Sequence, residues 1–212
     1  MGMRRRSSSP EPALVAAALA AGVTDQRVLD AVAAVPRAAF VSRSARRHVD
    51  EDRPIPIGEE QTTSQPSLIA SMLASLHLDG HERVLEVGTG TGYEAALLSH
   101  LVEEVHTVER YASLAQQARA NLAEIGCTNV YVHVGDGTRG WPDAAPYEAI
   151  IVAAATSQVP PPLAEQLADG GRLLAPVGGS GGQELIRYVA RDGRLHEDRH
   201  IVPVRFVPLV AE

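Results

Sequence analysis

The sequence predicts an α/β fold: a doubly wound, mostly parallel seven-stranded sheet behind an N-terminal helical extension. Three observations carry this. Arg83-Val84-Leu85-Glu86-Val87-Gly88-Thr89-Gly90-Thr91-Gly92-Tyr93 passes from an apolar run through alternating glycines into an amphipathic segment, Ala95 to Leu101. That is a strand, a tight turn and a helix. From residue 82 onward apolar runs alternate with amphipathic stretches, as in a sheet wound with helices. The next run, Val105-His106-Thr107-Val108, ends in Glu109-Arg110, and a carboxylate there can bind both hydroxyls of a ribose.

Taken in order, residues 1–10 read as a disordered basic tail with Arg4-Arg5-Arg6. Residues 12–35 read as two short helices parted near Gly22, with Thr24 or Asp25 as N-cap of the second and Pro36 as its stop. The charges from Arg43 to Arg53 read as a solvated face. Gln61-Thr62-Thr63-Ser64-Gln65-Pro66 is a polar loop at the start of a helix over 67–76, with Pro66 in its first turn. Hydroxyls at a helix N-terminus suit a carboxylate; N-capping by Ser64 is the plainer alternative. Strands are expected at 82–88, 104–109, 130–135, 147–155, 171–177, 183–191 and 199–209. Helices are expected at 91–101, 111–125 and 160–168, with Gly126 as a C-cap. Gly135-Asp136-Gly137 ends the third strand at the ligand edge, where Asp136 either accepts from an adenine amino group or serves as a turn aspartate. The small residues Ala153-Ala154-Ala155 leave room at the same edge. Gly178-Gly179-Ser180-Gly181-Gly182 reads as a linker.

Glycines 88, 90 and 92 fall at every second position, not in the Gly-x-Gly-x-x-Gly spacing of a pyrophosphate turn. Glu86 adds a negative charge beside the turn, which disfavours a pyrophosphate and favours a cation. A nucleoside with a positive centre, S-adenosyl-L-methionine, fits better than NAD.

The composition bounds the rest. In 212 residues, 45% are hydrophobic and 21% charged, which describes one globular unit. The net charge of −7 argues against a nucleic-acid partner. Cys127 stands alone and no Cys/His zinc spacing occurs, so neither a disulfide nor a metal is expected. The alanine-rich run after Arg4-Arg5-Arg6 is interrupted by Pro10 and Pro12 and lacks the ~20 apolar residues of a membrane span. A cytoplasmic monomer is expected, with residues 11–80 carrying the helices and acceptor loop and 81–212 the cofactor core.

The chain resembles the protein-L-isoaspartate O-methyltransferase family over about residues 24–210. The resemblance rests on Val35-Pro36-Arg37 with Phe40-Val41, Gln61-Thr62-Thr63-Ser64-Gln65-Pro66, the glycine turn, Gly135-Asp136-Gly137, Pro146-Tyr147 and Val204-Arg205-Phe206-Val207-Pro208-Leu209. It implies a class I S-adenosylmethionine-dependent methyltransferase (Rossmann-like) fold. It implies methyl transfer to the α-carboxylate of an isoaspartyl peptide, whose ester then closes to a succinimide. By motif, Ser64 is the active-site hydroxyl, with Thr62, Thr63, Gln65, Val207 and Pro208 on the peptide. Glu86, Gly88, Thr89, Gly90, Gly92, Glu109, Arg110, Asp136 and Gly137 fall to the cofactor. The resemblance leaves the order of the last strands open. One departure stands out: Glu59-Glu60 precede the acceptor loop, and would repel a carboxylate unless they point outward. That keeps a carboxyl methyltransferase for a dedicated aspartyl peptide as the alternative, with an NAD-dependent oxidoreductase behind it.

Overall fold

The computed structural model describes residues 12–179 and 181–211; the basic tail expected at 1–10 lies outside them. A seven-stranded sheet runs in the order β5-β4-β3-β6-β7-β8-β9. Its strands are β3 (Arg83–Val87), β4 (Glu104–Glu109), β5 (Val130–Val134), β6 (Tyr147–Val152), β7 (Leu167–Gly179), β8 (Gly182–Arg191) and β9 (Arg194–Val204). Pairings are parallel from β5 through β7 and antiparallel for β7–β8 and β8–β9. The chain leaves β3 toward β4 on one side and returns to β6 on the other. The crevice of such a sheet opens at that reversal, beyond the carboxyl ends of β3 and β6.

Alternation along the central strands separates two cores. Val84, Val105 and Ile151 face one layer, with Leu14, Val28, Leu29, Leu73 and Leu97. Leu85, Val108 and Ile150 face the other, with Leu163 and Tyr147. The first layer holds α1 (Pro12–Ala20), α2 (Gln26–Ala34), α3 (Pro66–Ser75), α4 (Tyr93–Leu98) and α5 (Ala112–Ile125). Gly22 at φ 87 breaks α1 from α2, and Asp25 caps α2 through Arg27 N at 3.0 Å. Gly126 ends α5 in the left-handed region.

Four expectations change. The helix read over 160–168 is α6 (Pro161–Glu165), and β7 begins at Leu167. Gln166 is the pivot: its side chain accepts from Trp141 N at 2.8 Å and donates to Arg139 O at 2.8 Å, pinning the helix end. The glycine linker is the β7–β8 hairpin, closed by the Gly179–Gly182 pair. β9 starts at Arg194 because Asp192-Gly193 turns with positive φ at both residues, a two-residue hairpin. It stops at Val204, where the Gln183 amide clamps Phe206 N and O at 2.6 and 3.2 Å. The chain then turns back, and Val207 and Leu209 pair with Ala155 at 2.7 Å.

A ribbon the sequence did not announce, β1 (Pro56–Gly58) with β2 (Gln61–Thr62), carries the acceptor loop. Arg37 holds it. The residue is fully buried. Its guanidinium donates to Val49 O, Glu51 O and Arg53 O at 3.1, 2.8 and 2.7 Å, and to Thr63 Oγ1 at 3.2 Å. Replacing Arg37 by Met strands those acceptors, so urea unfolding should show a loss of about 3–5 kcal/mol. A loss below about 1 kcal/mol would contradict this role.

Candidate active site

Three connected cavities lie along the carboxyl edge. The largest is an open groove of about 1680 Å³ between the 21–25 turn, the exposed side of α3 and residues 199–207. A small pocket lies under the glycine turn, lined by Ile57, Ser64, Ile69, Thr89, Tyr93 and Glu94 among others. The third runs between the β1–β2 ribbon, the ends of β3 and β4, and the 207–210 tail. Thr62 and Ala153 line all three, and Ser64 lines the groove and the small pocket. The three cavities thus share walls at Thr62 and Ala153, and Ser64 stands where the groove adjoins the small pocket.

The glycine turn shapes the third cavity. Gly88 and Gly90 have φ of 101 and 54, where side chains are strained. A Cβ on Gly90 would press on Ile57 Cδ1 at 3.0 Å, so the ribbon lies directly over the turn. Gly92 does not face the cavities. A Cβ there would meet Leu122 and Ala118 of α5 at 3.3–3.4 Å, so the glycine lets α5 pack closely on the turn.

Glu109 closes the end of β4. Its Oε2 accepts from Gly90 N at 2.8 Å and its Oε1 from Tyr111 N at 3.0 Å. Each oxygen keeps a lone pair for a further donor, as two hydroxyls would supply. Burial raises its pKa despite those bonds. Arg110 and Gly137 line the same cavity. Asp136 Oδ1 accepts from Thr138 N at 2.9 Å and Thr138 Oγ1 at 2.7 Å, which shapes the turn after β5. Pro208 lines this third cavity, while Val207 lines it and the groove.

Glu86 sits behind the turn with no exposure. Thr89 Oγ1 lies 2.6 Å from Thr107 Oγ1, and Thr107 donates to Glu86 Oε2. Glu86 Oε1 has no partner, and neither has Glu94 Oε1. Burial first, then the Glu94 charge, pushes the Glu86 pKa well up, and burial pushes Glu94 to about 8. Buried acids lacking donors form a site for positive charge. A sulfonium nucleoside fits that set of donors and acceptors, whereas a pyrophosphate does not.

The acceptor loop divides its labour. Ser64 Oγ makes no hydrogen bond to the described residues. Thr63 Oγ1 accepts from Arg37 and from Ile55 N at 3.1 Å, which ties the loop to its scaffold. The Gln65 amide donates to Asp52 Oδ2 at 2.7 Å, and Thr63 and Gln65 both line the groove. Asp52 also accepts from Ser67 N at 2.9 Å and Ser67 Oγ at 2.7 Å. The start of α3 is thus occupied by the protein's own carboxylate, and neither an external anion nor Ser64 caps it. Glu59 and Glu60 occupy the ribbon tip at φ 51 and 58, both exposed, with Glu59 Oε1 accepting from Ser113 Oγ at 2.7 Å. Neither lines any of the three cavities. Sequence reasoning missed Arg37, Asp52 and Glu94 as parts of this region.

A model of the protein-L-isoaspartate(D-aspartate) O-methyltransferase family matches residues 9–212. The chain belongs to this family. It is 50% identical over 193 residues to the protein-L-isoaspartate O-methyltransferase of Methanoculleus marisnigri, covering 91% of this chain and 87% of that one. A solved protein-L-isoaspartate O-methyltransferase is 32% identical with a TM-score of 0.85 over 93% of this chain, which spans 65% of that chain's length. A Plasmodium falciparum chain in complex with S-adenosyl-L-homocysteine shares the fold, with a TM-score of 0.82 at 21% identity over 96% of this chain and 99% of that one. Among the described residues no helix is long and apolar enough to cross a membrane, and no cluster of acids, histidines and cysteine suits a metal ion.

Glu60 holds a left-handed conformation that costs a non-glycine residue about 1 kcal/mol. Glu60→Gly should therefore raise stability by roughly 0.5–1 kcal/mol in urea titration. Because the side chain is exposed and lines none of the three cavities, the KM for a neutral isoaspartyl peptide should stay within about twofold. A large fall in that KM would show that Glu60 faces the acceptor.

Proposed function

We propose that the protein methylates the α-carboxylate of L-isoaspartyl residues in damaged proteins, with S-adenosyl-L-methionine as donor. One observation carries the reading: the unpartnered Ser64 hydroxyl stands where the open groove meets the pocket under the glycine turn. Family membership supplies the acceptor chemistry. The groove's width and openness suit a peptide chain.

The reaction asks little acid–base work of the protein. A carboxylate with a pKa near ~4 is already ionised at neutral pH, so no general base is needed. The bound donor supplies an electrophilic methyl group on a positively charged sulfur. Ser64 donates to one carboxylate oxygen and leaves the other free to attack. Attack needs an approach of about 3–3.5 Å, which the rigid loop secures. Arg37 and Asp52 fix the loop from opposite ends, through Thr63 and through Ser67. Glu109 holds the ribose end, with Arg110, Gly137 and Pro208 around the nucleoside. Residues 11–80 thus serve the acceptor and 81–212 the donor, with residues 199–207 adding a wall of the peptide groove. We further read the enzyme as a cytoplasmic monomer that binds protein rather than nucleic acid, in keeping with its net charge of −7. Glu59 and Glu60 are exposed and line none of the three cavities, which favours general repair over a dedicated peptide.

Labelled methyl transfer to matched isoaspartyl and aspartyl peptides tests the activity. A strong preference for the isoaspartyl peptide is expected; equal or absent activity on both would overturn the assignment. Ser64→Ala should lower kcat by about 10–100-fold and leave donor affinity within about threefold. Glu109→Ala should weaken donor binding in calorimetry by at least about tenfold. Unchanged donor affinity in that variant would remove Glu109 from the ribose.

A further inference from the structure

We propose that Glu94 is a second charge-bearing carboxylate of the donor site, one that selects the cationic methyl donor over its uncharged-sulfur product. The proposal rests on the functional reading above and adds a residue that this reading does not use. Glu94 lies in the first turn of α4, immediately after the glycine turn. It is 6% exposed, and its Oε1 has no hydrogen-bond partner. It lines the small pocket with Ser64, Gly88 and Thr89, between the nucleoside cavity and the peptide groove. A sulfur centre joining those two cavities must lie in or beside that pocket.

The groups facing Glu94 are of one sign. Glu86 of β3 interacts with it electrostatically, and Glu109 of β4 acts on Glu86 in turn. Tyr93 is the pocket's other titratable group. Arg37 lies over the Tyr93 ring at 6.0 Å with its guanidinium spent on the 49–53 carbonyls. The remaining walls, Ile57, Thr62, Thr63, Ile69 and Ala153, are uncharged. A buried carboxyl in that setting stays protonated until a cation arrives, and Glu94 without ligand titrates at about 8.

The charge balance follows. A sulfonium entering the pocket stabilises ionised Glu94, so binding of the donor releases a proton at neutral pH. Donor affinity then rises with pH until free Glu94 is itself ionised. After transfer the sulfur is neutral, the carboxylate loses its counterion, and Glu94 takes a proton back. The product is thereby held less tightly than the donor. The donor's sulfonium lowers its own α-amino pKa, but that group is still mostly protonated near pH 7 in both ligands, so it adds little to the difference between them.

Calorimetry on the full chain, with S-adenosyl-L-methionine and S-adenosyl-L-homocysteine in buffers of different ionisation enthalpy near pH 7, reads this directly. The wild type should release roughly half a proton or more with the donor and clearly less with the product. Glu94→Gln, nearly isosteric, should abolish most of that difference and shift the donor-to-product affinity ratio by about tenfold toward product. Equal proton release with both ligands in the wild type overturns the proposal, whether or not the variant folds. So does a folded variant with an unchanged affinity ratio. If the donor failed to bind the wild type at all, the functional reading itself would fall, an outcome distinct from a donor that binds without moving protons.

Discussion

A guanidinium shut away from water sets the geometry of the whole ligand edge. Arg37 donates to three carbonyls of the 49–53 segment and to Thr63 Oγ1, so it joins a stretch of irregular backbone to the acceptor loop. Its environment is built by the segment it comes from. Val35 is extended ahead of Pro36, Phe40 packs on the Tyr93 ring at 5.6 Å, and Thr91 Oγ1 donates to Phe40 O at 2.7 Å. The helical extension and the glycine turn are thereby locked to each other through a single hub. Ser64 gains a fixed position over the sheet without spending its own hydroxyl.

The opposite economy governs the donor side. Glu86 and Glu94 are enclosed with an unpartnered oxygen each, an arrangement that costs stability in the absence of a cation. Their raised pKa values keep the folded protein from carrying both charges at once. A site of this kind is built for a ligand that brings positive charge to the pocket, and the protein carries the cost until that ligand arrives. Such strain at a functional pocket is the familiar trade of stability for activity.

Much of this was legible in the residue pattern, for identifiable reasons. The strand–turn–helix at Arg83–Tyr93 and the carboxylate at Glu109 are local in sequence, and their periodicity and spacing survive folding intact. Asp192-Gly193 is an equally local hairpin signal, but it went unread: the last strand is expected from 199, whereas β9 starts at Arg194. What else escaped was decided by contacts between distant segments. Asp52 sits in a charged run that reads as solvated, yet it caps α3 from 15 residues away. Arg37 follows a helix stop, where nothing in the local pattern marks it for burial, yet it is fully buried. Thr63 and Ser64 present the same hydroxyl in the sequence; only tertiary hydrogen bonding shows that Arg37 and Ile55 hold Thr63. Gly92 and Gly88 look alike in the motif, and their neighbours, α5 for one and Ala153 for the other, tell them apart.

The account stands or falls on the meeting of donor pocket and peptide groove at Ser64. A crystal structure of the protein with S-adenosyl-L-homocysteine and an isoaspartyl peptide tests that directly. It should show the ribose on Glu109, the sulfur beside Glu94, and one peptide carboxylate oxygen on Ser64 with the other aimed at the sulfur. A peptide carboxylate bound elsewhere in the groove, with Ser64 still unpartnered, would contradict it.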